Sequence, residues 1–140
     1  MKVLIAVDGS DYTKKALAFL VANDEMLGTD GEVIVLNVQP AMPPRVVAMV
    51  GSSMVHEYYV EEADKVLKPV NAFLDRHPMR FRSSWVVGPA GDEIVKAARA
   101  EKAQMIVMGT HGHGLLGRAL MGSVAQRVVT GSDIPVLLVK

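Results

Sequence analysis

Val107–Val128 reads "VMGTHGHGLLGRALMGSVAQRV" and carries five glycines, two histidines and two arginines. The apolar run Gln104–Met108 leads into it and has the length and composition of a buried strand. From about Ser123 to Val129, apolar residues recur at helical spacing. Strand, glycine-rich loop and helix in that order is the alternation from which parallel sheets are built.

The rest of the chain repeats the alternation. Lys2–Val7 is an apolar run closed by Asp8-Gly9-Ser10, a strand meeting a turn. Ser10 or Asp11 can cap a helix from Tyr12 to about Asn23, where Ala16, Leu17, Leu20 and Val21 share one face. Gly28–Gly31 reads as a loop, Glu32–Val38 as a second strand ended by Gln39-Pro40, and Ala41–Ser52 as an apolar loop containing Pro43-Pro44. Ser53–His77 has a long helical pattern that Pro69 should kink or split. Arg80–Val87 predicts a third strand, Ala90–Ala103 a helix with Asp92 and Glu93 in its first turn, and Pro135–Val139 a last strand. The expected fold is a single α/β domain over residues 1–140. It is an open, doubly wound five-stranded parallel sheet with helices on both faces, Rossmann-like in kind. Ligands of such sheets sit outside the carboxyl ends of the strands, where the strand order switches. Asp8–Asp11, Val38–Pro40, Val87–Gly91 and Gly109–Ser123 fall at that edge.

Composition narrows the function. Half of the 140 residues are hydrophobic and none is cysteine, which rules out disulfides and thiolate metal sites. Fifteen basic residues balance fifteen acidic ones, a poor basis for phosphate-driven nucleic-acid binding. Asp8 interrupts the first apolar run too early for a signal-peptide core, and no apolar run reaches the ~20 residues needed to span a bilayer. A cytoplasmic protein without membrane or nucleic-acid partners is expected.

Two glycine patterns overlap in the opening stretch. Gly112-His113-Gly114-Leu115-Leu116-Gly117 spells G-x-G-x-x-G, but that fingerprint belongs in the first strand–helix turn, and here it follows the fourth strand. The phosphate-loop pattern fails too, because Leu115 and Leu116 stand after Gly114 where lysine and serine or threonine are required. The wider pattern is Gly109-x-x-Gly112, nine residues, then Gly122-Ser123. Gly109 and Gly112 let the backbone curl into a nest of N–H groups, and Gly122-Ser123 opens a helix whose first N–H groups are unpaired. Ser123 with Gln126 also fits a capping box. The residues alone leave two readings open: a polyphosphate grip, or simple turns and a cap.

The wider pattern resembles the signature of the ATP-binding branch of the universal stress protein family. The likeness extends over the chain, through "VLIAVDGS", "VIVLNV", "VVGPAGDEIVKAA", "QMIVMGTHG", "GSVAQRV" and "PVLLVK". A subgroup of that family lacks the glycine pattern and does not bind ATP. The resemblance implies that Asp8 and Val38 line the adenine end of an ATP site. It implies that Gly109 and Gly112 approach ribose and phosphates, and that Gly122 and Ser123 hold the phosphates. Position 113, often basic in the family, is His113 here, which is neutral or half-charged near pH 7. Arg118 could compensate, or could be an ordinary solvated arginine. The family also implies a homodimer, and "PVLLV" would otherwise be an exposed apolar edge strand, with Val136–Val139 as the pairing segment.

Other candidates are weaker. His111 and His113 have only His56 and His77 as further histidines, too few for a zinc shell without carboxylates. A Mg²⁺ or Mn²⁺ ion held mainly by bound phosphates is the better metal reading. No serine–histidine–acid set has interpretable spacing, and Asp92 and Glu93 point about 100° apart on a helix. Met42, Met49 and Met54 flank the proline-bearing loop and suit either packing or an adaptable surface for a protein partner. The expected function is a nucleotide-dependent sensor or regulator in stress response. The alternatives are a slow ATP hydrolase or phosphotransferase, and an interaction domain that binds no nucleotide.

Overall fold

The structure is a computed structural model and describes residues 1–112 and 121–140. The apolar runs form strands β1 (Lys2–Ala6), β2 (Glu32–Gln39), β3 (Phe81–Val87), β4 (Met105–Gly109) and β5 (Val136–Val139). The periodic stretches form helices α1 (Asp11–Ala22), α2 (Pro44–Val50), α3 (Ser52–Asp75), α4 (Ala90–Ala100) and α5 (Ser123–Gly131). A single 3-10 turn, Asp24–Leu27, precedes β2.

The strands pair in parallel in the order β3-β2-β1-β4-β5. Alternation along each strand feeds two cores. Val3, Ile5, Val33, Val35 and Val107 pack with Ala16, Leu17 and Leu20 of α1 and with Ala63, Leu67, Val70 and Leu74 of α3. Leu4, Ile34, Leu36, Ile106 and Met108 face the opposite way, onto Ile94, Val95 and Ala98 of α4 and Ala125 and Val128 of α5. Val3, Leu4, Ile5, Val33 and Ile106 have no exposed surface, and each such side chain contributes about 1.5–3 kcal/mol relative to exposure. The chain winds outward from β1 to β3, then crosses back to β4, so the strand order switches between β1 and β4.

Several local expectations are corrected. Ala41–Ser52 is not all loop: Pro44–Val50 is helical, because Pro44 stands at the helix start, where its fixed φ helps and its missing N–H costs nothing. The Met42 N–H, just before, donates to Tyr59 Oη at 2.8 Å and ties this segment to α3. Pro69 does not split the long helix, which runs unbroken to Asp75. Pro69 is itself exposed, while Leu67, Val70 and Leu74 around it are buried, and their burial offsets the lost backbone bond. Helix α4 ends at Ala100 rather than Ala103, since Lys102 takes a left-handed conformation at φ 55°.

The expected capping box at Ser123 does not form. Gly122 is the N-cap, Ser123 is the first helical residue, and the Gln126 N–H bonds the Gly122 carbonyl. The cap falls one residue earlier because extended backbone persists through Gly122, at φ −72° and ψ 162°.

Candidate functional site

The carboxyl ends of β1 and β4 lie side by side at the switch point, and the turn after β1 is rigidly built. The Asp8 N–H donates to Thr13 Oγ1 at 2.9 Å, and Asp8 Oδ1 accepts from the Ser10 N–H at 2.9 Å and from Thr13 Oγ1 at 2.8 Å. Gly9 between them has φ 80°, which a side chain would resist. Ser10 caps α1 by accepting from the Thr13 N–H at 3.4 Å. The Asp8 carboxylate is therefore fixed by a helix first turn rather than left to swing.

Across the switch, Gly109 ends β4 against this same turn. A Cβ on Gly109 would lie 2.5 Å from Tyr12 Cβ and 3.2 Å from the His111 carbonyl oxygen. A Cβ on Gly112 would collide with Asp8 Oδ2. Neither glycine has the left-handed φ that favours glycine; close approach of backbone to neighbours is what demands them. Thr110, buried between them, donates its N–H to the Val139 carbonyl at 2.9 Å and accepts from the Gly122 N–H at 2.6 Å. The end of β4 and the start of α5 are thus clamped together, and Ser123 is exposed beside the clamp at the positive end of the helix. Among the described residues no side chain caps α5. The next amides, of Ser123 and Val124, are the first-turn donors a helix cannot satisfy internally.

Val38 sits on the other side of β1. Leu36 accepts from the Val7 N–H at 2.9 Å, while Val33 and Gln39 bond the β3 side, so even-numbered residues of β2 face β1. By this alternation the Val38 N–H and C=O face the β1 edge two residues beyond Leu36 of the last paired rung, Ala6–Leu36.

The structure brings Asp8, Gly109, Gly112, Gly122 and Ser123 to one crevice, with Val38 at its neighbouring edge. His113 and Arg118 lie outside the described residues, as do Gly114 and Gly117. Sequence reasoning missed Thr13, which holds Asp8, although its spacing after Asp8-Gly9-Ser10 was a usable signal. It also missed Tyr12 and Lys15. The Tyr12 ring lies 5.0 Å from the His111 ring, with Lys15 Nζ 5.0 Å from its centroid, and this brings a cation near the crevice. Among the described residues no three His, Asp or Glu side chains converge in the manner of a metal site. A groove of about 370 Å³ lies between α4 and α5, lined by Asp92, Lys96, Arg99 and Arg127.

The family model for the universal stress protein family matches residues 1–140. The chain belongs to that family. A universal stress protein of Thermus aquaticus is 35% identical over 141 residues, covering 99% of this chain and 97% of that protein. The solved structure of MJ0577 from Methanocaldococcus jannaschii superimposes with a TM-score of 0.84 at 31% identity, covering 99% of this chain and 94% of that one. A universal stress protein of Archaeoglobus fulgidus, solved in complex with dAMP, shares the fold. Its TM-score is 0.69 at 22% identity, over 100% of this chain and 98% of that one. No described helix is long and apolar enough to cross a membrane.

Proposed function

We propose that the chain binds an adenine nucleotide, ATP in particular, in the crevice between the carboxyl ends of β1 and β4. It would then act as a nucleotide-dependent regulator in stress response. The observation that carries this reading is the pair Gly109 and Gly112, where a Cβ would strike Tyr12 or Asp8, so that only glycine lets the ends of β1 and β4 close up at the switch point, where open sheets of this kind take their ligands. The open edge of Val38 offers a donor and an acceptor for a base. Asp8, held by Thr13, is an acceptor for ribose or base N–H and O–H groups. The amides at the start of α5 and the Ser123 hydroxyl suit the phosphates. His113 and Arg118 would add charge there, and Mg²⁺ or Mn²⁺ would take its ligands mainly from phosphate and water. The dAMP complex of a family member supports the nucleotide class.

The same reading includes a homodimer through β5. Pro135 accepts from the Ile106 N–H of β4 and Val139 from the Thr110 N–H just after it, so the N–H and C=O groups of Val136 and Leu138 face the outer edge of the sheet. A two-fold partner strand would pair them.

Calorimetric titration with ATP and Mg²⁺ tests the proposal, alongside mass spectrometry for nucleotide that co-purifies. Saturable heat is expected. A folded sample giving no heat at millimolar ATP would overturn it.

A further inference from the structure

β2 carries two buried amides where an apolar strand has no evident use for them. Asn37 is 3% exposed and Gln39 8%. Both lie on the face of β2 that Val33 and Val35 present to α1 and α3. Asn37 Nδ2 donates to the Val7 carbonyl at 2.9 Å, and Gln39 Nε2 donates to Asn37 Oδ1. A carbonyl can only accept, so the first bond fixes which end of the Asn37 amide faces β1, and Gln39 secures the other end.

The Val7 carbonyl is the acceptor that a continuing parallel ladder would give to the Val38 N–H. Among the described residues that rung is not made: the register stops at Ala6–Leu36, and Val7 contributes only its N–H, to Leu36. An asparagine side chain has replaced a backbone rung, and β1 is free to turn away into the Asp8–Ser10 corner.

We infer that the Asn37–Gln39 pair is a positioning device that holds the β1–β2 edge open, leaving the Val38 N–H and C=O to read the edge of an adenine-type base. This rests on the nucleotide reading above. Asn37 need not touch the ligand; it acts by occupying the Val7 carbonyl. A base with the opposite donor–acceptor order, such as guanine, would meet like groups at Val38 and be rejected.

The experiment has two arms. In the nucleotide-free protein, amide hydrogen exchange is measured at Val38 and Leu36. The Val38 amide is expected to exchange about 100-fold faster than Leu36, whose rung is made, and Asn37→Leu should slow it about 10-fold as the ladder closes. In the second arm, ATP and GTP are titrated into the wild type, Asn37→Leu and Gln39→Leu. Asn37→Leu should weaken ATP about 10-fold and shrink the preference over GTP by a similar factor, with Gln39→Leu between it and wild type. A merely structural role would lower the melting temperature without changing the ATP/GTP ratio. A Val38 amide as protected as Leu36 in the wild type would overturn the inference, and so would unchanged selectivity in both variants. If the wild type binds neither nucleotide, the functional reading fails, while the exchange arm still decides whether the rung is open. Should Asn37→Leu not fold, the wild-type exchange and Gln39→Leu carry the test.

Discussion

Gly109→Ala is the sharpest perturbation of the site. The new Cβ would sit 2.5 Å from Tyr12 Cβ, with His111 O at 3.2 Å and the Tyr12 carbonyl carbon at 3.3 Å. Carbon–carbon contact is relaxed at roughly 3.5–4.0 Å, so at least about 1 Å must be found. None of the three atoms is the end of a flexible side chain. The relief must come from moving the first turn of α1 off β4, and Thr13 in that turn holds Asp8. Overpacking of this kind costs about 1–3 kcal/mol. For 140 residues the unfolding entropy is about 0.3 kcal/mol per kelvin, so the melting temperature should fall by about 3–10 °C. ATP affinity should fall with it. Gly112→Ala is the internal comparison, because its Cβ meets the Asp8 carboxylate, which can rotate away only by giving up its bonds to Ser10 and Thr13. That rotation disturbs hydrogen bonds worth roughly 0.5–1.5 kcal/mol, so it should melt less far below wild type than Gly109→Ala. Calorimetric melts of both variants, followed by ATP titration, provide the assay. A Gly109→Ala protein melting within about 1 °C of wild type would refute the close approach of strand and helix on which the site is built.

Ser123→Ala should leave stability within about 0.5 kcal/mol, since the exposed hydroxyl caps nothing, yet weaken ATP more than AMP; equal losses for both would remove Ser123 from the phosphate end. At the opposite end of the sheet, Arg82 bonds Glu32 and Glu101 and holds both carboxyls below their ordinary range. Depressed carboxyl values mean that this contribution is present above about 4.5 and is lost as pH falls through the folded-state values. Arg82→Met should therefore flatten the fall in melting temperature between about pH 5 and 3, by an amount that added salt reduces because the cluster is exposed. An unchanged acid limb would show that the cluster contributes nothing to stability. Sedimentation velocity should give a dimer, and Leu138→Pro, which removes an outward-facing N–H, should shift it to monomer; a wild type that stays monomeric at high concentration would end the β5 pairing proposal.

Much of this architecture was legible because its signals are local. Continuous apolar runs such as "KVLIAV" and "EVIVLNV" can be buried on both faces only in a covered parallel sheet, and the helices between them show their period directly. Gly109 and Gly112 stood out by type and spacing, and Asp8 by closing the first apolar run and by the family resemblance. The misread places are those where a distant contact overrides a local preference. Pro69 could have split the helix, but Leu67, Val70 and Leu74 around it are buried in the core and the helix runs on to Asp75. Ser123 looks like a cap, yet Gly122 takes that role while its N–H bonds Thr110.

The sequence by itself determined the alternation of strands and helices, their inward faces and the spacing of the glycines at the strand ends, since hydrophobic periodicity and turn chemistry act over a few residues. Only the tertiary structure decided that β1 and β4 are neighbours. That pairing sets Gly112 against Asp8, 104 positions earlier, and makes two isolated motifs one crevice. It also decided the meaning of Asn37, which reads as an interruption in an apolar strand until the Val7 carbonyl is found in its reach. Strand order and rung-by-rung pairing depend on packing between segments far apart in the chain, and no local pattern encodes them.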